Sequence, residues 1–213
     1  ITTGSGTDTI VLRIGDGGSS LAQADTITDF TDGTDVLGMD DGLQYTDLTI
    51  AQGTGSNANN TIISSGSEYL AILTGVSASN LNYYDFVSTA TGNQTLSGTA
   101  DDDILLGASG KDIATSGTGN DVIITYGGDD VITVDGVGNK TIDGGTGTDS
   151  LAIGYSGITD AGSFVARQRL VDDTYVFTDG SGNQISFKNI ANQNDGDVWG
   201  YSSGVSINGM SYF

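Results

Sequence analysis

Residues 98–152 read GTADDDILL, GASGKDIAT, SGTGNDVII, TYGGDDVIT, VDGVGNKTID and GGTGTDSLA. Five of these six units are nine residues long and the fifth has ten. The sixth slot holds Asp103, Asp112, Asp121, Asp130, Lys140 and Asp149. The fourth holds Gly110, Gly119, Gly128, Gly138 and Gly147, with Asp101 as the exception in the first unit. The eighth holds Leu105, Ala114, Ile123, Ile132, Ile142 and Leu151. Each unit thus joins a polar, glycine-rich half, able to turn tightly, to a short apolar half suited to a strand. A turn and a three-residue strand make half of a flattened coil. No single unit can bury its apolar residue alone, so such units must stack.

Stacking decides both fold and chemistry. It predicts an all-β chain built on a parallel β-roll, a calcium-binding β-solenoid, with β-rich spacer and capping segments. Parallel neighbours lie about 4.8 Å apart. With two half-coils per coil, alternate units share a side: Asp103, Asp121 and Lys140 form one row, and Asp112, Asp130 and Asp149 the other. Bare carboxylates at that spacing repel by about 3–4 kcal/mol at an effective dielectric near 20. A divalent cation between them reverses the sign. Calcium suits, since it takes six to eight oxygens in irregular geometry, including the carbonyls that a glycine turn exposes; magnesium demands a stricter octahedron. Candidate ligands are therefore Asp103, Asp112, Asp121, Asp130 and Asp149, with Gly110, Gly119, Gly128 and Gly147 supplying the turns. Complete sites are expected at Asp103/Asp121, Asp112/Asp130 and Asp130/Asp149. At Asp121/Lys140 the ammonium is expected to stand where an ion would.

Composition agrees. The chain of 213 residues has 26 Asp and one Glu against six Lys and Arg, a net charge of −21. The preference for Asp over Glu points to short carboxylates held near turns. Such a charge argues against nucleic acid and membrane insertion as modes of contact. It also makes the metal-free chain self-repelling, so that binding energy from calcium becomes folding energy. Cysteine, histidine and proline are absent. With neither His nor Cys, nucleophilic triads lack their usual parts, and no catalytic residue is assigned. No apolar stretch reaches transmembrane length.

Two modules are expected, 1–88 and 89–213, with the roll at about 98–152. The first opens on a partial unit, GSGTDTIV at Gly4–Val11, with Asp8 in the ligand slot. This start reads as the middle of a longer protein. ADTITDFTDGTDVLGM follows at Ala24–Met39, and Asp25, Asp29, Asp32 and Asp35 join the candidate ligands. Strands are expected near 9–13, 48–51, 61–64 and 69–73, with a helical turn at 77–81 and Tyr83, Tyr84 and Phe86 in packing roles. After residue 152, strands near 164–170, 174–178, 184–187 and 205–207 are expected to form a cap over an otherwise sticky solenoid end.

Over Gly98–Ala152, and partly at Gly4–Val11, the chain resembles the RTX, or hemolysin-type, calcium-binding family. Ala24–Met39 resembles the segment that follows the roll in serralysin-like proteases, through Asp25, Ile27, Asp29, Phe30, Gly33 and Asp35. The resemblance implies calcium between turns and type I secretion to the cell exterior on an uncleaved C-terminal signal. It does not bring the protease's zinc motif, which needs histidine. The expected function is a calcium-binding structural module of a secreted or cell-surface bacterial protein: a surface layer, filament or adhesin. Its partners would be calcium and copies of itself or other surface proteins. The alternative is the secretion and folding roll of an extracellular protease, lipase or polysaccharide epimerase.

Overall fold

The structure is a computed structural model that describes residues 1–154, 169–171, 174–190, 205–207 and 210–211. Two compact units divide the chain, Ile1–Ala90 and Thr91–Phe213.

In the first unit β1 (Thr9–Leu12), β2 (Asp25–Ile27), β3 (Val36–Met39), β4 (Leu48–Gln52), β5 (Thr61–Ser65), β6 (Glu68–Leu73) and β7 (Phe86–Ser88) form two sheets. One is all-parallel, in the order β1-β3-β7. The other runs β2-β6-β5-β4, with β2 parallel to β6 and the remaining pairs antiparallel. Ile10, Leu12, Ile27, Leu37, Ile63, Leu73 and Phe86 are buried between them, and the Tyr45 ring meets Phe86 edge-on at 5.0 Å. The helical turn expected at 77–81 is instead a hydrogen-bonded turn, Asn80 N–H to Ser77 O. The short 3-10 helix lies later, at Tyr83–Asp85, where the Asn82 side chain accepts from Tyr84 N and Asp85 accepts from Asn82 N. Local capping by Asn82 and Asp85 outweighs the weak helix preference of the Ser-rich stretch before it.

The second unit is the roll. Its strands are β8 (Thr95–Ser97), β9 (Ile104–Leu106), β10 (Ile113–Thr115), β11 (Asp121–Ile124), β12 (Val131–Val134), β13 (Lys140–Asp143) and β14 (Ser150–Ile153). They are followed by β15 (Arg169–Val171), β16 (Thr174–Thr178), β17 (Gln184–Lys188), β18 (Val205–Ile207) and β19 (Met210–Ser211). Alternate strands stack in parallel. One wall is β8-β10-β12-β14-β18 and the other β9-β11-β13-β17. The coil advances eighteen residues between Asp112 and Asp130, and nineteen between Asp130 and Asp149, which absorbs the extra residue of the ten-residue unit. Eighth-slot side chains meet in the middle. Ala114, Ile123, Ile132 and Leu151 are fully buried and Ile142 nearly so, with Leu105 packed alongside. Ala114, small for its slot, still takes its place in that core.

β16 and β17 form a hairpin around Asp179–Asn183, and Phe177, Ile185 and Phe187 extend the roll's core. The cap is therefore continuous with the solenoid: β17 runs parallel to β13 as a further rung, and β16 and β15 then reverse direction. Trp199, Tyr201 and the start of the strand expected at 164–170 lie outside the described residues. No helix among the described residues is long and apolar enough to cross a membrane.

Candidate metal centre

Both rows form as alternation requires. In the second row Asp112, Asp130 and Asp149 each stand one residue before a strand of the same wall. Each carboxylate reaches one coil back to hold the main chain there. Asp112 Oδ1 accepts from Gln94 N at 2.7 Å, Asp130 Oδ1 from Asp112 N at 2.7 Å, and Asp149 Oδ1 from Asp130 N at 2.9 Å. In the first row Asp121 Oδ1 accepts from Asp103 N at 3.0 Å, while Asp103 Oδ2 takes the N–H and hydroxyl of Thr99. One oxygen of each inner Asp is thus committed to the backbone, and the question is what the other meets.

In the second row Asp112 Oδ2 accepts from Ala108 N at 2.7 Å, and the other two residues differ from it. Asp130 and Asp149 are each 1 % exposed, and the Oδ2 atom of each is buried without a hydrogen-bond partner. Buried acceptors left unmatched are rare and costly, so these two oxygens call for a ligand. Burial pushes the pKa of Asp149 up to about 6, with the Asp130 and Asp129 charges adding to it. Burial likewise raises Asp130, the Asp112 charge adding, while the N–H of Asp112 pulls the other way.

The first row shows what the position accepts. Lys140 and Asp121 have side chains with no solvent exposure, and their ion pair measures 2.7 Å from Nζ to Asp121 Oδ2. The contact is ionic rather than a well-angled hydrogen bond, and Asp121 Oδ2 counts as paired. Lys140 Nζ also donates to Gly119 O at 2.7 Å and Val137 O at 3.2 Å. A positive charge therefore sits among one carboxylate and two turn carbonyls. The corresponding oxygens of the second row are Asp130 Oδ2, Gly128 O and Thr146 O. The turns correspond closely: Gly119 N donates to Val137 O as Gly128 N donates to Thr146 O. Where the first row brings an ammonium, the second brings Asp149. The donor set is all oxygen, and the row needs a cation of higher charge. These residues fit calcium.

The turn glycines are required by the stacking. Gly128 has φ 125° and Gly147 φ 132°, and a Cβ at either would overlap the fourth-slot carbonyl one coil earlier, Gly110 O or Gly128 O. Gly119 obeys the same rule against Asp101 O. Gly110 does not adopt positive φ but is packed against the Gly92 backbone.

Among the described residues no three acidic side chains converge on one point. A site here would consist of two carboxylates from successive coils completed by backbone carbonyls, which calcium tolerates.

The first unit repeats the pattern once on its parallel sheet, between Asp35 and Asp8. Asp8, Asp35 and Asp85 immediately precede β1, β3 and β7. Asp35 Oδ1 accepts from Asp8 N at 3.1 Å, and Asp35 Oδ2 from Thr31 N at 2.8 Å. Asp8 Oδ2 is a further buried oxygen without a partner. Burial raises the pKa of Asp85, which is 4 % exposed, and the adjoining Asp32 carboxylate raises it further. Asp25 and Asp29 are not part of this row. Asp25 is exposed at the start of β2, and Asp29 accepts the N–H groups of Thr3 and Gly4.

Sequence reasoning missed two features. Asp85 belongs to no nine-residue unit, and its only signal is the Asp-Phe-Val step into a strand. The fifth slot builds an outer ladder running the opposite way: Asp102 accepts from Asn120 N, Asn120 from Asn139 N, Asn139 from Gln184 N, and Asp129 from Thr148 N. The recurrence of Asn or Asp at 102, 120, 129 and 139 was its trace in the sequence.

A metal at the second row would compete with protonation, which sets the expected pH dependence. Without calcium, folded Asp149 holds its proton more tightly than the unfolded chain does, with a pKa near 6 against an ordinary 3.8. Its contribution to stability is therefore greatest below pH about 4 and is lost as pH rises through about 6. With calcium the ionised form is needed, so calcium affinity falls as pH drops below about 6. Urea unfolding at pH 5 and 7, in calcium and in chelator with a stabilising osmolyte that keeps the calcium-free chain folded, is expected to show slopes of opposite sign.

The family model of the RTX calcium-binding nonapeptide repeat (four copies) matches residues 88–123 and 106–139. The chain carries these repeats on a parallel β-roll. A crystal structure of the extracellular lipase LipA from Serratia marcescens overlaps 94 % of this chain and 37 % of its own, at 13 % identity and a TM-score of 0.35. That overlap is too loose to carry an argument, and the chain spans little more than a third of that protein. No curated protein matches the chain.

Proposed function

We propose that this chain, with its RTX calcium-binding repeats, is a non-enzymatic structural module of a secreted or cell-surface bacterial protein. It folds on meeting external calcium and then joins copies of itself or neighbouring surface proteins. One observation carries the reading: Asp130 and Asp149, on successive coils, each hold a buried carboxylate oxygen with no hydrogen-bond partner. An ion there ties coil to coil and has no open face for chemistry. In the first unit Asp8 contributes one unmatched buried oxygen beside Asp35, whose own oxygens are both held by the main chain, so this unit offers a weaker version of the arrangement. A net charge of −21 keeps the calcium-free chain expanded, and the absence of cysteine leaves metal as the available cross-link. Extracellular calcium sites have dissociation constants of about 10⁻⁴–10⁻³ M, so they fill outside a cell and stay empty within it.

Sedimentation velocity in chelator and then in calcium of about 1–10 mM tests the reading. A slow, expanded species should become compact and then associate. Compaction to a stable monomer would overturn self-assembly and favour the alternative of a folding and secretion roll for a linked enzyme. No change on adding calcium would overturn the calcium reading itself.

A further inference from the structure

We propose that Lys140 is a tethered replacement for one calcium ion, so that the junction between β11 and β13 carries its own cation and stays metal-free at every calcium concentration. The inference rests on the calcium reading of the second row.

Three observations meet at this residue. First, Lys140 is 1 % exposed, which a lysine accepts only when its charge is matched. It is matched by Asp121 Oδ2, Gly119 O and Val137 O, an oxygen set drawn from two successive turns. Second, the register is preserved although the turn leading to Lys140 has an extra residue. Gly138 has φ 114° and lies against Gly119 O as Gly147 lies against Gly128 O. The position therefore keeps the shape of its neighbours and differs in what fills it. Third, the charges differ as a replacement requires. Asp130 and Asp149 bring two negative charges and leave two oxygens unmatched, whereas Asp121 and Lys140 sum to zero. A calcium ion at Asp121 would have to displace the ammonium and then bury beside it.

One rung of the first row is thus fixed in advance, while the second row depends on the ion at Asp130 and Asp149, whose second oxygens are unmatched. The roll is calcium-dependent along one side and partly calcium-independent along the other. Calcium then completes the stack without having to supply every contact in it.

The test is to count bound calcium by equilibrium dialysis at saturating concentration, for the intact chain and for Lys140→Asp. The substitution recreates the Asp pair of the second row, and one additional calcium per chain is expected. An unchanged count in a folded Lys140→Asp chain overturns the proposal. Should that variant not fold, crystals of the wild-type chain grown in calcium decide it through the anomalous signal of the ion. Density for calcium in the second row and none beside Lys140 supports the replacement, and an ion beside Lys140 overturns it. A wild-type chain that binds no calcium at all removes the underlying calcium reading, an outcome distinct from an unchanged count.

Discussion

Replacing Asp130 with Asn should cost about 3–5 kcal/mol of stability in 10 mM calcium and almost none in chelator. Asp130 is shared by two proposed ion positions, Asp112/Asp130 and Asp130/Asp149. At 10–100 times a dissociation constant of 10⁻⁴–10⁻³ M, each ion stabilises the folded chain by about 1.4–2.7 kcal/mol. Losing both gives the expected range. Asn retains an acceptor for Asp112 N and nearly the same volume, so packing is spared. In chelator the substitution removes a buried charge flanked by Asp112 and Asp149, and stability should stay level or rise. Urea unfolding of both proteins under both conditions, in a stabilising osmolyte that keeps the calcium-free chain folded, measures this. An equal loss with and without calcium would assign Asp130 a purely structural role.

Gly128→Ala should destabilise the roll by about 3 kcal/mol or more in saturating calcium. At φ 125° a side chain is strained before any contact is considered. The added methyl would also overlap Gly110 O directly, and the neighbouring coil backbones leave no flexible side chain to yield. The matched control is Gly92→Ala, where φ is ordinary and a Cβ meets nothing within 4 Å. Its effect should stay within about 0.5 kcal/mol. A mild effect at Gly128 would mean that the coils are not stacked in this register.

The roll was legible because its signal repeats. Ile123, Ile132 and Leu151 alone would be three aliphatic residues; recurring at one slot they specify a common core, which the structure forms. The pairing of alternate units followed from needing two half-coils to close a layer, and the Asp112–Asp130–Asp149 row followed from that pairing. Asp85 was not legible, because its place beside Asp32, level with Val36, arises from the parallel pairing of β3 with β7 across a long insertion. No period marks such a contact. The helical turn at 77–81 failed for a local reason: Asn82 and Asp85 cap the later segment, and nothing comparable anchors the earlier one. Lys140 was legible as an interruption of the row, but its three oxygen partners required the coil geometry. The division of the Asp130 and Asp149 carboxylates into one backbone-bound and one unmatched oxygen was equally invisible in the sequence. That division is what separates an ion site from a set of turn caps.

The most direct test is a calcium titration of the intact chain followed by far-ultraviolet circular dichroism, with magnesium as the comparison. Paired carboxylates completed by irregular carbonyls predict a cooperative gain of β-structure between about 0.1 and 1 mM calcium, with little response to magnesium at the same concentrations. A spectrum of folded β-structure in chelator, unchanged by calcium, would contradict the claim that this chain's carboxylate rows fold around the ion.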